Sequence, residues 1–143
     1  MADAPKVAAA QFAQIDYMAK DPEAYVRGMD GAIIRRPLPK PDLDRLVASQ
    51  LQTPPAIAVG MWVADLWGVD RTPALAKLDC PTLVIASAYS PELDVERAQA
   101  AKLPHARFEV VDNAGHAVFL DQPETFDALV ASFLAEIDGR SAR

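Results

Sequence analysis

A single cysteine, Cys80, stands among 143 residues, so no internal disulfide framework is available and a reducing compartment is expected. Basic clusters are equally scarce. Apart from the short pair Arg35-Arg36, lysines and arginines are scattered, and the net charge is −6. Nucleic acid and anionic membrane both demand a basic footprint and are set aside as partners. The first residues, "MADAPKVAAAQFAQI", carry Asp3 and no long apolar core, so no secretory signal is expected. The most apolar run, "TPPAIAVGMWVADLWGV", is interrupted by Asp65 and too short to span a bilayer comfortably. No internal repeat or low-complexity tract stands out. These absences lead to the expectation of a cytoplasmic protein without a cofactor or a metal site.

What is present is an ordinary globular composition, 51% apolar and 24% charged, in a length suited to one domain. The 12 prolines imply many short elements with firm boundaries. Up to about residue 80 the chain reads as helix. Ala8, Phe12, Ile15 and Ala19 share one face of a first helix, which "KDP" at 20–22 ends. A second runs from Pro22 toward Ile34. After the proline-rich "RRPLPKPD", Leu43, Leu46, Val47 and Leu51 line one side of a third. The fourth, roughly Pro54 to Trp67, is apolar nearly all round and should be covered on more than one side.

After "LDCP" the pattern changes. "TLVIA" (82–86) is a short continuous apolar run, the mark of a strand buried on both faces. "PELDVERAQAAK" (91–102) reads as a helix and "RFEVV" (107–111) as a second strand, which together make a βαβ crossover. From Pro123 onward, Phe126, Leu129, Val130, Phe133, Leu134 and Ile137 follow helical spacing. Two parallel strands make a poor sheet by themselves, because parallel pairs occur inside larger, covered sheets. The sheet in this chain is therefore expected to be incomplete.

The order of these elements and their local wording resemble the α/β-hydrolase fold, specifically its C-terminal half. "LAKLDCPTLVIA" is similar to that family's approach to its seventh strand, and "LPHARFEVVDNAGH" to its eighth strand and catalytic-histidine loop. "GHAVFLDQPETFDALVASFL" resembles the family's ending: Gly-His, an acidic residue five positions on, then Pro and an amphipathic last helix. The match is continuous over about residues 73–137. The resemblance implies an α/β fold in which a helical lid region, 1–72, precedes a βαβ unit and a terminal helix, 73–143.

By the same resemblance His116 corresponds to the general base that takes a proton from a serine and returns it to the leaving group. An imidazole can take up and release a proton near neutral pH, which suits that task. His105, in "LPHAR", matches no motif and is read as a surface residue. The nucleophile is missing. The family sets its serine on a strained Gly-x-Ser-x-Gly turn, and none of the serines at 49, 87, 90, 132 and 141 has that setting. The oxyanion-hole donors that accompany the turn would be missing with it. The family's acid is also replaced: where Gly-x-x-Asp is usual after the strand, this chain reads "SAYS", with Ser87 for the glycine and Ser90 for the aspartate. Asp94 is a weaker candidate acid, or else the N-cap of the next helix. A carboxylate from elsewhere is a third possibility.

Met61, Trp62, Leu66 and Trp67 either line an apolar substrate pocket or form the core of the lid. Asp65 faces that pocket or solvent. Cys80, just before a buried strand, is read as a small hydrophobe. Two functions fit. One is the C-terminal part of a serine-type hydrolase of carboxylic esters or similar small, apolar acyl substrates, completed by an N-terminal half. The other is a non-catalytic remnant serving as a binding or oligomerisation module. Either requires a partner, the N-terminal half or a second copy, to cover the open sheet edge.

Overall fold

The computed structural model describes residues 4–66 and 70–141, with backbone alone for 4–8, 65, 66, 140 and 141. The chain divides into two compact units, one comprising residues 1–31 and 38–69, the other 32–37 and 70–143. The short stretch 32–37 thus belongs with the C-terminal half of the sequence.

In the first unit, α1 (Ala4–Lys20), α2 (Pro22–Ile33, whose last two residues fall in the other unit) and α3 (Lys40–Gln50) follow the expected boundaries closely. Asp21 separates α1 from α2, and its carboxylate accepts the Ala24 amide at 3.0 Å, capping α2 just ahead of Pro22. Val47 of α3 is buried, as is Met18 among the described side chains of α1. The inward face of α1 therefore runs through half-buried Ile15 and Met18, whereas Phe12 is 59% exposed. The expected Phe12–Ile15–Ala19 stripe is displaced by about one helical position. A buried Asp30 is held by the Gln50 amide, at 3.0 and 3.1 Å to its two oxygens.

The fourth helix departs from expectation in two ways. Regular α-helix covers only α4 (Pro55–Met61), and the ladder then widens into a π-helical turn over Trp62–Leu66, just after Gly60 weakens it. It is also not enclosed: Ile57 and Met61 are 55% and 58% exposed, and no α4 residue is buried. Its all-round apolar sequence finds no matching cover among the described residues.

In the second unit, α5 (Thr72–Leu75) leads to β1 (Thr82–Ser87), α6 (Leu93–Ala100) and β2 (Ala106–Val111), the expected crossover. The strands pair in parallel, Thr82 with Ala106 through Ser87 with Val111. Among the described residues the sheet has these two strands alone, so it is incomplete and both outer edges are unpaired. After β2 come α7 (Val118–Asp121) and the long α8 (Pro123–Ser141). Phe126 and Leu129 of α8, with Ile85 of β1, pack on a buried cluster of Val111, Ala114 and Val118. Leu134, expected inside, points outward. Cys80, read from the sequence as a small hydrophobe, is exposed just before β1. Among the described residues, no helix is long and apolar enough to cross a membrane.

Candidate active site

The loop 112–117 joins the C-terminal end of β2 to α7 and carries His116. Its path is set by several independent anchors. Asn113 adopts a left-handed backbone with φ of 56°, which asparagine tolerates better than most side chains. The Gln122 amide donates to the Asn113 carbonyl at 3.1 Å. Ala114 is wholly buried, and its carbonyl accepts the Ser87 hydroxyl at 2.7 Å. Ser87 is itself buried at the end of β1, and its oxygen also accepts the Tyr89 amide at 3.0 Å. Serine at this place does work that glycine could not: it fastens the end of β1 to the histidine loop.

The firmest anchor is Asp121, the acidic residue five positions after His116. It is only 3% exposed, yet its carboxylate accepts three backbone N–H groups: Arg35 at 2.9 Å, Arg36 at 2.6 Å and Gly115 at 2.6 Å. Burial by itself pushes the Asp121 carboxyl up. The three amides and the Arg36 charge outweigh it, holding the group ionised below its ordinary range. The Ala117 amide adds a further tie to the Ile33 carbonyl at 3.1 Å. Segment 32–37 is thereby laid against the histidine loop across more than eighty residues of sequence.

That close approach explains Gly115. A Cβ placed there would clash with the Ile33 carbonyl oxygen and lie 3.1 Å from both the Arg35 nitrogen and an Asp121 oxygen. The first of these neighbours is backbone and cannot step aside. Gly115→Ala is accordingly expected to lower stability by about 2–3 kcal/mol, read from the urea midpoint, as for other overpacked sites. Asn113→Gly, which keeps the left-handed turn accessible, should cost well under about 1 kcal/mol in the same assay.

His116 itself is exposed, and no described side chain hydrogen-bonds its imidazole. Neither expected acid reaches it through such a bond. The Ser90 hydroxyl donates to Glu96 Oε1 at 2.8 Å and accepts the Glu92 amide at 3.2 Å, which ties it to the start of α6. Asp94 is exposed in the first turn of α6 and is not its N-cap, because the helix begins one residue earlier, at Leu93 behind Glu92. The Ser90 turn sets that start, with the Leu93 amide bonded to the Ser90 carbonyl.

Of the pocket residues, Met61 is exposed and Trp62 half-buried. Trp67 and the side chains of Leu66 and Asp65 lie outside the described residues. His105 lies at the surface, 3.0 Å from Asp79 Oδ1. A cavity of about 180 Å³ opens beside it, between Pro81, Arg107, Phe133 and Glu136 at the N-terminal end of the strands. This is the opposite end from His116. Among the described residues no group of His, Cys, Asp or Glu side chains is placed to hold a metal ion.

A parallel βαβ unit, a histidine loop and a closing helix are the C-terminal elements anticipated from the sequence; the buried acid that braces the loop is added by the structure. The profile of the Alpha/beta hydrolase family matches residues 2–129, most of the chain. The chain belongs to the alpha/beta hydrolase family. Within it, a protein of Mycobacterium tuberculosis (strain ATCC 25618 / H37Rv) bearing the provisional name non-heme bromoperoxidase BpoC is 32% identical over 103 residues, 57% of this chain and 38% of that protein. An esterase from Exiguobacterium antarcticum superposes with a TM-score of 0.78 at 20% identity, covering 87% of this chain and 47% of its own. A thermophilic esterase from Thermogutta terrifontis gives 0.71 at 22% identity, covering 94% and 52%. At such identities the two structures report the alpha/beta hydrolase fold rather than an activity. The chain spans about half the length of these solved relatives and less of the curated one.

In the sequence Asp121 stands out by no role of its own, and Arg35 and Arg36 stand out only as a basic pair. The spacing Gly-His-x₄-Asp was the available signal for Asp121. Nothing local pointed to segment 32–37 as its partner.

Proposed function

We propose that this chain is the C-terminal part of a serine-type hydrolase of carboxylic esters or similar small acyl substrates, with His116 as general base. In this reading a Gly-x-Ser-x-Gly serine on another stretch of protein attacks the ester carbonyl while His116 takes its proton. The resulting imidazolium protonates the departing alcohol, and a water activated by the same imidazole then releases the acyl group as the acid. Backbone donors near the serine stabilise the oxyanion. The observation that carries the proposal is an exposed imidazole on a loop whose neighbours are fixed by Asp121, Ser87 and Gln122. Such bracing is what a proton carrier needs to meet a serine at hydrogen-bond distance. The esterase names of the solved relatives support the substrate class.

With Ser90 committed to Glu96 and Asp94 in solvent, the carboxylate that orients His116 is assigned to the part that supplies the serine. Residues 1–72 act as the lid, with Met61, Trp62, Leu66 and Trp67 lining the acyl pocket, in a cytoplasmic enzyme. The unpaired edge of β1 is where that N-terminal part adds its strands.

A second reading, a non-catalytic binding or oligomerisation module, draws on the exposed apolar residues Ile57 and Met61 and on an imidazole at His116 that no described side chain hydrogen-bonds. One experiment separates them. The chain is mixed with a separately produced N-terminal half of an alpha/beta hydrolase family esterase, and p-nitrophenyl butyrate hydrolysis is followed. The hydrolase reading expects turnover that neither part has by itself. A self-associated chain that leaves the added half inactive supports the module instead.

A further inference from the structure

The loop that carries His116 is flanked by a cation that the proposed mechanism leaves unused. One oxygen of Asp121, Oδ2, accepts both the Arg35 and the Gly115 amides, so the two backbones lie side by side immediately before His116. From there the Arg35 guanidinium reaches over the Tyr89 ring, 4.1 Å from its centroid. Tyr89 follows β1 by two residues and is placed by its amide bond to the Ser87 oxygen, which also fastens the histidine loop. One hydrogen-bonded frame therefore presents His116, Arg35 and Tyr89.

A cation–π contact with the ring holds the guanidinium in place without engaging its N–H groups in hydrogen bonds. Those N–H groups match a carboxylate bidentately. Among the described residues, no acidic side chain pairs with Arg35, which is exposed, whereas its neighbour Arg36 donates to the Leu120 carbonyl at 2.9 Å. Asp121, which accepts the Arg35 backbone N–H, turns both oxygens to backbone amides. In a chain of net charge −6 this leaves a cation without an acidic partner among the described residues, on the segment whose backbone lies against the histidine loop.

We propose that Arg35, held over the Tyr89 ring, is a specificity residue that binds an ionised carboxylate on the substrate, so that the preferred esters carry a second, free carboxylate. The inference rests on His116 marking the reaction site, and its test is a binding measurement that needs no turnover. Succinate is titrated into the isotopically labelled chain and followed by NMR at the Arg35 side-chain Nε–H and at the Tyr89, Gly115 and His116 amides. Saturable shifts at these groups are expected. They should weaken at least about tenfold in Arg35→Gln, one lost charge-assisted bidentate pair being worth about 1.4 kcal/mol or more. They should persist in His116→Ala. The neutral diethyl ester of succinate should leave the Arg35 signal unmoved. Undiminished succinate binding in Arg35→Gln, an equal response to the diethyl ester, or tighter binding of inorganic phosphate would each overturn the assignment. If succinate binding depends on Arg35 while the completed enzyme hydrolyses no ester, the carboxylate site stands and only the hydrolase reading falls.

Discussion

Asp121→Ala should lower the unfolding free energy by about 3–5 kcal/mol, a large fraction of what a domain of this size possesses. The wild-type carboxylate is buried and answers three backbone donors from two distant stretches, Arg35 and Arg36 on one side and Gly115 on the other. Removing it leaves three amides without an acceptor, each unsatisfied donor costing about 1–3 kcal/mol where it stays buried. Segment 32–37 and the histidine loop should then separate, so amide hydrogen exchange at Arg35, Arg36 and Gly115 should accelerate together. Asp121→Asn retains an acceptor oxygen but turns an NH₂ toward other donors, and should fall between the two.

The same group sets an acid limit. Its carboxyl is held below the ordinary value of 3.8, because the amides and Arg36 outweigh the effect of burial. The unfolded chain therefore takes up its proton before the folded one does. The associated stabilisation is complete above the ordinary carboxylate range and fades as pH falls through the lower folded value. In urea titrations at descending pH the wild type should converge on Asp121→Asn below about pH 4. A constant gap between them at all pH values would show that the charge of Asp121 is not what braces the loop.

The second large effect concerns chemistry. In the chain completed by a serine-bearing half, His116→Ala should reduce kcat for p-nitrophenyl butyrate by about 10³–10⁴-fold, the usual cost of removing a triad member, with KM little changed. His116 is exposed and lends its imidazole to no described hydrogen bond, so its loss should leave the urea midpoint nearly unmoved. That combination, an inactive but stable protein, separates a catalytic histidine from a structural one.

The C-terminal half was largely legible in the sequence because its signals are local. The apolar run at 82–86, the helical spacing after Pro123 and the Gly115-His116 pair each state their structure within a few residues. The first half was legible in outline only. Pro22, Pro41 and Pro55 mark the helix starts, but apolar spacing could not tell that Phe12 faces solvent while Met18 is buried. Nor could it foresee the π-helical turn at Trp62–Leu66 or an α4 left uncovered. The acid of the site misled for a different reason. Position in the motif points to Ser90, and proximity in sequence to Asp94, whereas hydrogen bonding draws the first to Glu96 and the second lies in water. What braces His116 comes from Asp121 meeting residues 35 and 36, a contact no local pattern encodes.

The most direct measurement is covalent labelling of the supplied serine. A fluorophosphonate ester is added to the N-terminal half, to the half mixed with this chain, and to the half mixed with His116→Ala, and adduct formation is timed by intact mass. Serine reacts at a useful rate only when a base accepts its proton. Rapid labelling with the wild-type chain, slowed about a thousandfold or more with His116→Ala, is the result the account predicts. Labelling at the same rate with either chain would contradict it.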